Sequence, residues 1–247
     1  MQQVLQNGEQ VKENNFVGVN KLVAFGKTFT MPTPEREEEV REALAKQQEA
    51  VEREIKQKRL EYYRSAESGV NQKFFDMTVE SYVAHNQEER RNLDVVKNFV
   101  KNPHNQLLLM YGKNGTGKTL LGSTIIRELG GRYITSFRLC VEFESASDFK
   151  AKRNKLEVLD DYSSQPCVVI DEVGRSNKEA TEKELLSYII DQRYENNLPT
   201  VVISNLTKQS IIALLGVAVY DRLTEICTAL DFTGASYRKE QRNIIDF

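Results

Sequence analysis

The feature that most restricts how this 247-residue chain can fold is the stretch Gly112-Lys113-Asn114-Gly115-Thr116-Gly117-Lys118-Thr119. It lies between two runs of different character. Leu107–Tyr111 before it is apolar and too short for a helix, so it reads as a buried strand. Thr119–Leu129 after it reads as a helix closed by Gly130-Gly131. A strand that turns through glycines directly into a helix gathers free backbone N–H groups and the positive end of a helix dipole at one point.

The chain around this turn repeats the same alternation. Arg132–Phe137 predicts a strand, and Cys167–Ile170 is a fully apolar run ending in acid. Lys178–Asn196 has helical periodicity through Leu185, Leu186, Ile189 and Ile190, opened by the capping-box spacing Ser176-x-x-Glu179. Thr200–Ile203 is another buried strand, followed by a helix over Lys208–Leu215. Repeated βα units with near-continuous apolar strands imply an α/β fold of three layers, a parallel sheet covered by helices on both faces.

The glycine-rich turn fits the P-loop pattern G-x-x-x-x-G-K-S/T at every fixed position, in the strand-to-helix context that pattern requires. The expected ligand is ATP with Mg²⁺. Gly112, Asn114, Gly115, Thr116 and Gly117 supply backbone amides, Lys118 reaches the β- and γ-phosphates, and Thr119 ligates Mg²⁺. Val168-Val169-Ile170-Asp171-Glu172 lies about 50 residues further on. An acid at the carboxyl end of a buried strand stands in the crevice where open α/β sheets bind ligands. There Asp171 can hold the metal and Glu172 can deprotonate an attacking water, although alone the pair also fits a solvated acidic turn. A carboxylate placed to activate water suits hydrolysis better than phosphate transfer to a small acceptor. Asn205, ending Thr200–Asn205, either meets the γ-phosphate and the lytic water in the same crevice or is simply a turn residue.

The first seventy residues have a different character. Residues 1–32 read as a leader, flexible or weakly strand-like. Thr33-Pro34-Glu35 starts a helix, with Thr33 capping and Pro34 in the first helical position. From Pro34 to about Glu67 there is no Gly or internal Pro, and Val40, Leu44, Val51, Ile55 and Tyr62 form a narrow apolar stripe. Two readings stand for residues 33–70: a solvated helix along its own core, or an arm that docks a partner or a second copy. The ATPase core is expected over 71–247.

Composition sets outer limits. Hydrophobic residues at 40% and charged residues at 28% are ordinary for a soluble globular protein, and the net charge of -2 leaves any nucleic-acid contact to local patches. No apolar run approaches the roughly 20 residues of a membrane span, and Met1–Gln10 lacks the layout of a signal peptide. Cys140, Cys167 and Cys227 are scattered, with only His85 and His104 beside them. No zinc knuckle follows from them, and a reduced, cytoplasmic protein is the expectation.

Taken in order, the P-loop, Val168–Glu172, Ile190-Asp191-Gln192-Arg193-Tyr194 and Thr200–Asn205 resemble AAA+ helicase loaders of the DnaC type and the related IstB transposition ATPases. Leu214-Leu215-Gly216, Tyr220-Asp221-Arg222-Leu223 and Ala235-Ser236-Tyr237-Arg238 continue the resemblance, and Phe74-Phe75 with Tyr82 resemble the aromatic linker before that core. It covers roughly residues 72–240. The resemblance implies that Asn205 is sensor 1, that Arg222 is an arginine finger given to a neighbouring subunit's ATP, and that Arg238 is sensor 2. For Arg222 an ion pair with Asp221 or Glu225 is the plain alternative. Phe74 and Phe75 are implied candidates for the adenine pocket. The chain departs from the pattern at Val217-Ala218, where relatives often carry an acidic-basic pair.

Leu139–Ser164 corresponds to the insertion with which initiator-type relatives touch single-stranded DNA. Here Lys150, Lys152, Arg153 and Lys155 lie with Phe143 and Phe149 in a segment that fits DNA contact or a solvated charged face equally. The implied function is a replicative helicase loader that grips a hexameric helicase through its N-terminal region, holds single-stranded DNA, and self-associates when ATP-bound. A transposition regulator, or an adaptor that uses ATP as a switch without hydrolysis, are the alternatives.

Overall fold

A computed structural model describes residues 21–24, 27–30, 34–104, 107–148, 151–216, 219 and 224–237, with side chains from residue 38 onward. The chain divides into two compact units, Met1–Lys56 and Gln57–Phe247. In the first, β1 (Lys21–Ala24) and β2 (Lys27–Thr30) form an antiparallel hairpin with Ala24 opposite Lys27. Helix α1 then starts at Pro34 and runs to Tyr63, about 45 Å at 1.5 Å per residue. Thr33, its expected cap, lies outside the described residues. On α1, Val40, Leu44, Val51 and Ile55 are each about half exposed (52%, 52%, 49% and 51%), while Tyr62, the last residue of the expected stripe, is partly buried.

The second unit takes in the last turns of α1. Tyr63 is buried in its core with Leu60 against it, and its hydroxyl donates to Phe74 O at 2.9 Å. A short 3-10 turn, Ala66–Ser68, closes the helical stretch at Gly69. Helix α2 (Gln87–Lys101) follows, capped by Asn86, whose side chain accepts from Glu89 N at 2.9 Å. Then come β3 (Leu107–Gly112), α3 (Lys118–Leu129), β4 (Arg132–Thr135), α4 (Ser136–Ser145), α5 (Lys155–Ser164), β5 (Val168–Val173), α6 (Glu179–Glu195), β6 (Thr200–Ser204), α7 (Lys208–Leu215) and β7 (Cys227–Phe232).

The five strands β3–β7 form one sheet in the order β4-β5-β6-β3-β7, and every neighbouring pair is parallel. Strand alternation divides the core between the two faces. Leu107, Leu109, Val168, Ile170 and Val202 face α4, α5, α6 and α7, while Leu108, Met110, Val169, Val201 and Ile203 face α2 and α3. Each buried Leu, Ile or Val stabilises by about 1.5–3 kcal/mol, so continuous apolar strands are what this two-sided burial selects. Leaving β3, the chain crosses to β4 at one edge, returns through β5 and β6, and finally adds β7 on the other side of β3. That reversal opens a crevice at the carboxyl ends of the strands.

Two boundaries differ from expectation. The strand expected over Arg132–Phe137 stops at Thr135, because the Thr135 hydroxyl caps α4 by accepting Arg138 N at 3.3 Å. Ser176 does not cap α6. Its hydroxyl instead accepts Lys178 N at 3.1 Å, one turn of loop before the helix starts at Glu179.

Arg193 of α6 is fully buried, and its guanidinium meets oxygens on every side. Nε donates to Thr200 Oγ1 at 2.9 Å, Nη1 to the carbonyls of Tyr162, Ser163 and Gln165, and Nη2 to Pro199 O at 2.7 Å. One side chain therefore ties the end of α5 to the entry of β6. Burial pulls its pKa down to about 10.

Candidate active site

The loop between β3 and α3 is shaped for an anion. Gly117 stands in the left-handed region at φ 89, and a Cβ there would meet Tyr82 Cε2 at 2.6 Å. Only glycine satisfies both conditions. Asn114, Gly115, Thr116, Gly117, Lys118 and Thr119 line a cavity of about 500 Å³, within the range of small-molecule sites. Gly112 stands behind this lining, and its carbonyl accepts from Lys118 Nζ at 3.0 Å. Nζ also donates to Lys113 O at 2.6 Å. Lys118 is 5% exposed, and burial pushes its ammonium down to about 8, against the opposing pull of Asp171 and Asp231. A buried cation resting on two carbonyls is a group poised to gain from an anionic ligand.

The acidic pair reaches the same cavity. Asp171 is buried, and its carboxylate is held on both oxygens. Oδ1 accepts Glu172 N at 2.6 Å, and Oδ2 accepts the Thr119 hydroxyl at 2.8 Å and also the Tyr133 hydroxyl. Burial, with Asp171 beside it, holds the Tyr133 phenol well above its ordinary range, so it remains a donor. Between Ile170 and Val173 the register against β6 shifts, and Glu172 adopts φ 58. Such a bulge in a non-glycine residue stores strain and swings the side chain out of the strand's regular alternation. The Glu172 carboxylate is paired with Arg175 at 2.9 Å, and both residues line the cavity.

Asn205 arrives by topology. β6 pairs with β3 on one side and β5 on the other, with Val202 opposite both Leu109 and Ile170. The residue that follows this strand therefore emerges between the glycine-rich loop and the acidic pair, and Asn205 lines the cavity. The oxygens of Thr119 and Asp171, side by side at 2.8 Å, are the hard donor set that suits Mg²⁺. Together with the loop and Lys118, the donor chemistry fits a nucleotide triphosphate and its metal.

One wall of the cavity, beside the loop, is aromatic. Phe74, Tyr82 and Tyr237 line it, with Tyr82 and Tyr237 edge to face at 5.9 Å. Tyr237 N donates to Gly115 O at 3.0 Å, so the segment after β7 folds back on the loop. Phe75 is elsewhere: it packs against Tyr63 with ring centroids 5.7 Å apart. Tyr133, Arg175 and Tyr237 escaped functional assignment from the sequence. For Arg175 the available signal was its place three residues beyond Glu172. For Tyr133 there was none, because its role depends on which strand lies next to β5.

Arg222 and Arg238 lie outside the described residues, as do Tyr220, Asp221, Leu223, Val217, Ala218, Phe149 and Lys150. In the segment Leu139–Ser164, α4 and α5 send Leu139, Cys140, Phe143, Val158 and Tyr162 into the core. Phe143 is thus packed inward, with Lys155 Nζ over its ring at 4.6 Å, and is not presented for base stacking. Arg153 pairs with Asp161 at 3.1 Å.

Comparison with known proteins agrees with this geometry. The family model for IstB-like ATP binding proteins matches residues 34–244. The replicative helicase loader DnaC of Buchnera aphidicola subsp. Acyrthosiphon pisum (strain APS) is 27% identical over 168 residues, 63% of this chain and 66% of that protein. A protein of insertion sequence IS232 from Bacillus thuringiensis subsp. berliner is 29% identical over 138 residues, 53% of this chain and 55% of that protein. The matched region therefore spans between about half and two thirds of the length of these curated relatives. A crystal structure of the DnaC helicase loader superimposes with a TM-score of 0.56 at 22% identity, covering 66% of this chain and 100% of that one. The three-layer α/β fold is thereby shared, and with its family model matched from residue 34 to residue 244, the chain belongs to the IstB-like ATP binding proteins and is similar to helicase loaders of the DnaC type.

Proposed function

We propose that this protein is an ATP-dependent loader of a hexameric replicative helicase, and that it hydrolyses ATP at the crevice described above. The observation that carries the reading is the convergence of Lys118, Thr119, Asp171 and Glu172 on one cavity, in a chain similar to DnaC loaders. In this reading the amides of Asn114–Thr119 hold the phosphates, and Lys118 exchanges its two loop carbonyls for phosphate oxygens. Thr119 and, through water, Asp171 would hold Mg²⁺, which would supply positive charge to offset that of the phosphates. Glu172 takes the proton of the attacking water, a role for which it must leave Arg175, and Asn205 orients that water. Phe74, Tyr82 and Tyr237 form the wall for the base.

Arg222 is proposed as the finger supplied to a neighbouring subunit and Arg238 as the sensor 2 residue of its own. A guanidinium at the transition-state charge contributes about 10³–10⁵ in rate, so turnover is weak until subunits assemble. The N-terminal region, with the exposed stripe Val40, Leu44, Val51 and Ile55, is the proposed helicase-docking segment. Single-stranded DNA is the proposed ligand of the assembled cores, with exposed Lys152, Arg153 and Lys155 as backbone contacts.

The test uses the full chain, replicative helicase hexamers and single-stranded DNA. Capture of the helicase is expected, with ATP turnover that Glu172→Gln lowers about 10²–10⁴-fold. Unchanged turnover in that variant would remove the hydrolytic assignment, and failure to capture any replicative hexamer would remove the loader. A second reading, a transposition regulator, is favoured by the matched family and by the relative from an insertion sequence. Capture of a transposase in place of a helicase would select it.

A further inference from the structure

We propose that Tyr133 is a positioning residue that sets the metal-binding carboxylate of Asp171, an inference that rests on the ATPase reading above. Tyr133 lies on β4, where Thr135 is opposite Asp171 and Tyr133 is opposite Val169. Tyr133 and Asp171 therefore share the sheet face that packs on α3, two residues apart along a diagonal between neighbouring strands. With strands about 4.8 Å apart and a rise of about 3.3 Å per residue, the two positions are roughly 8 Å apart, a gap that a tyrosine side chain can span.

Helix α3 approaches this face of the sheet at a glycine, close against Ile203 and Val169 and in ordinary contact with the Tyr133 ring. A Cβ at Gly122 would stand 2.6 Å from Ile203 Cδ1, 3.1 Å from Val169 Cγ1 and 3.5 Å from Tyr133 Cε2. One turn earlier on the same helix, Thr119 places its hydroxyl on Asp171 Oδ2 at 2.8 Å. Thr119 and Tyr133 thus donate to one carboxylate oxygen from different elements, while Glu172 N holds the other oxygen at 2.6 Å.

Three donors from three elements leave this carboxylate a single rotation. Two of them, the Glu172 amide and the Thr119 hydroxyl, belong to residues with roles of their own. The Tyr133 hydroxyl reaches the cavity through Asp171 and its neighbour Thr119: the tyrosine is 9% exposed and does not line the cavity. Beside the Thr119 hydroxyl, its polar partner is this carboxylate, whose oxygen it orients on the metal side. Outer-shell donors of this kind typically alter metal affinity by about 10–100-fold when removed.

The experiment compares full-length wild type and Tyr133→Phe. Binding of a fluorescent, non-hydrolysable ATP analogue is titrated in EDTA and then against Mg²⁺, and Mn²⁺ binding to the nucleotide complex is read by electron paramagnetic resonance. In EDTA the two proteins are expected to bind the analogue within about twofold of each other. The Mg²⁺ concentration for half-saturation is expected to rise about tenfold or more in the variant, with a parallel loss of Mn²⁺ affinity. An unchanged metal dependence, or equal losses with and without metal, overturns the assignment. Tyr133→Met fills similar space without a hydroxyl and must show the same selective shift should the phenylalanine variant melt early. If wild type binds the analogue with no metal dependence, the ATPase reading fails at its metal. If wild type responds to Mg²⁺ and both variants do likewise, only the role of Tyr133 falls.

Discussion

Replacing Arg193 by Met tests how much of this core depends on one buried cation. The change keeps an unbranched apolar stem and removes the guanidinium, leaving Thr200 Oγ1 and the carbonyls of Tyr162, Ser163 and Gln165 without this donor, and Pro199 O with only Val168 N. A buried acceptor without a partner costs about 1–3 kcal/mol, so the simple sum over these acceptors is an upper bound. Two effects reduce it. Carbonyls recover part of the loss by turning towards other donors or water, and the folded state no longer carries a desolvated charge, whose cost shows in the depressed Arg193 pKa of about 10. A net loss of about 3–5 kcal/mol is expected, the upper end of single substitutions that break a buried hydrogen-bond network. For a protein of this size each kcal/mol lowers Tm by about 2–4 °C, so a fall of roughly 6–20 °C should appear by calorimetry. Arg193→Lys keeps the charge but offers no planar fork, and should fall between the two. A Tm within about 3 °C of wild type for Arg193→Met, at unchanged urea m-value, would show that the network does not hold the core as reasoned.

Lys118 provides a pH signature. Its folded pKa of about 8 lies below the ordinary 10.5, so burying the ammonium opposes folding below pH 8, and that cost fades as pH rises from about 8 to 10.5. Nucleotide binding in this window should therefore draw in a proton, measurable by calorimetry in buffers of different ionisation enthalpy; no buffer dependence would contradict it. Gly117→Ala forces φ 89 on a residue with a Cβ that meets Tyr82 at 2.6 Å, and should weaken ATP-analogue binding by at least about tenfold. Intact binding would mean that the loop shape is less demanding than described. Changing Val40, Leu44, Val51 and Ile55 to Ser should abolish helicase capture while Tm stays within a few degrees, because surface substitutions typically stay within about ±0.5 kcal/mol each. A large loss of Tm would place the stripe in the protein's own packing instead.

Much of the site was legible because its parts are local. The glycine-rich loop, the helix it opens, and Lys118 and Thr119 are consecutive, and the strand and helix on either side follow from composition alone. Asp171, Glu172 and Asn205 were legible because each ends an apolar run, and the ends of parallel strands converge on one edge whatever their order. Helices α2, α4 and α5 and strand β7 were not anticipated. α2 carries mostly charged and amide residues and buries only Glu89, Asn92, Val96 and Phe99 fully. β7 is an edge strand with half-exposed positions, so its apolar signal is diluted.

The sequence by itself determined that a strand, a glycine turn and a helix would bring backbone amides and an ammonium to one turn, since these groups are adjacent in the chain and short-range geometry gathers them. Only the tertiary structure decided that Tyr133 would reach Asp171, that Arg175 would hold Glu172, and that Phe74 rather than Phe75 would face the cavity. It also decided that Arg193, within a stretch that resembles a functional family, would anchor the core instead of the chemistry. These outcomes depend on which strand lies beside which and how closely a helix approaches the sheet. Strand order and helix approach are set by the packing of residues far apart in sequence, which no local pattern encodes.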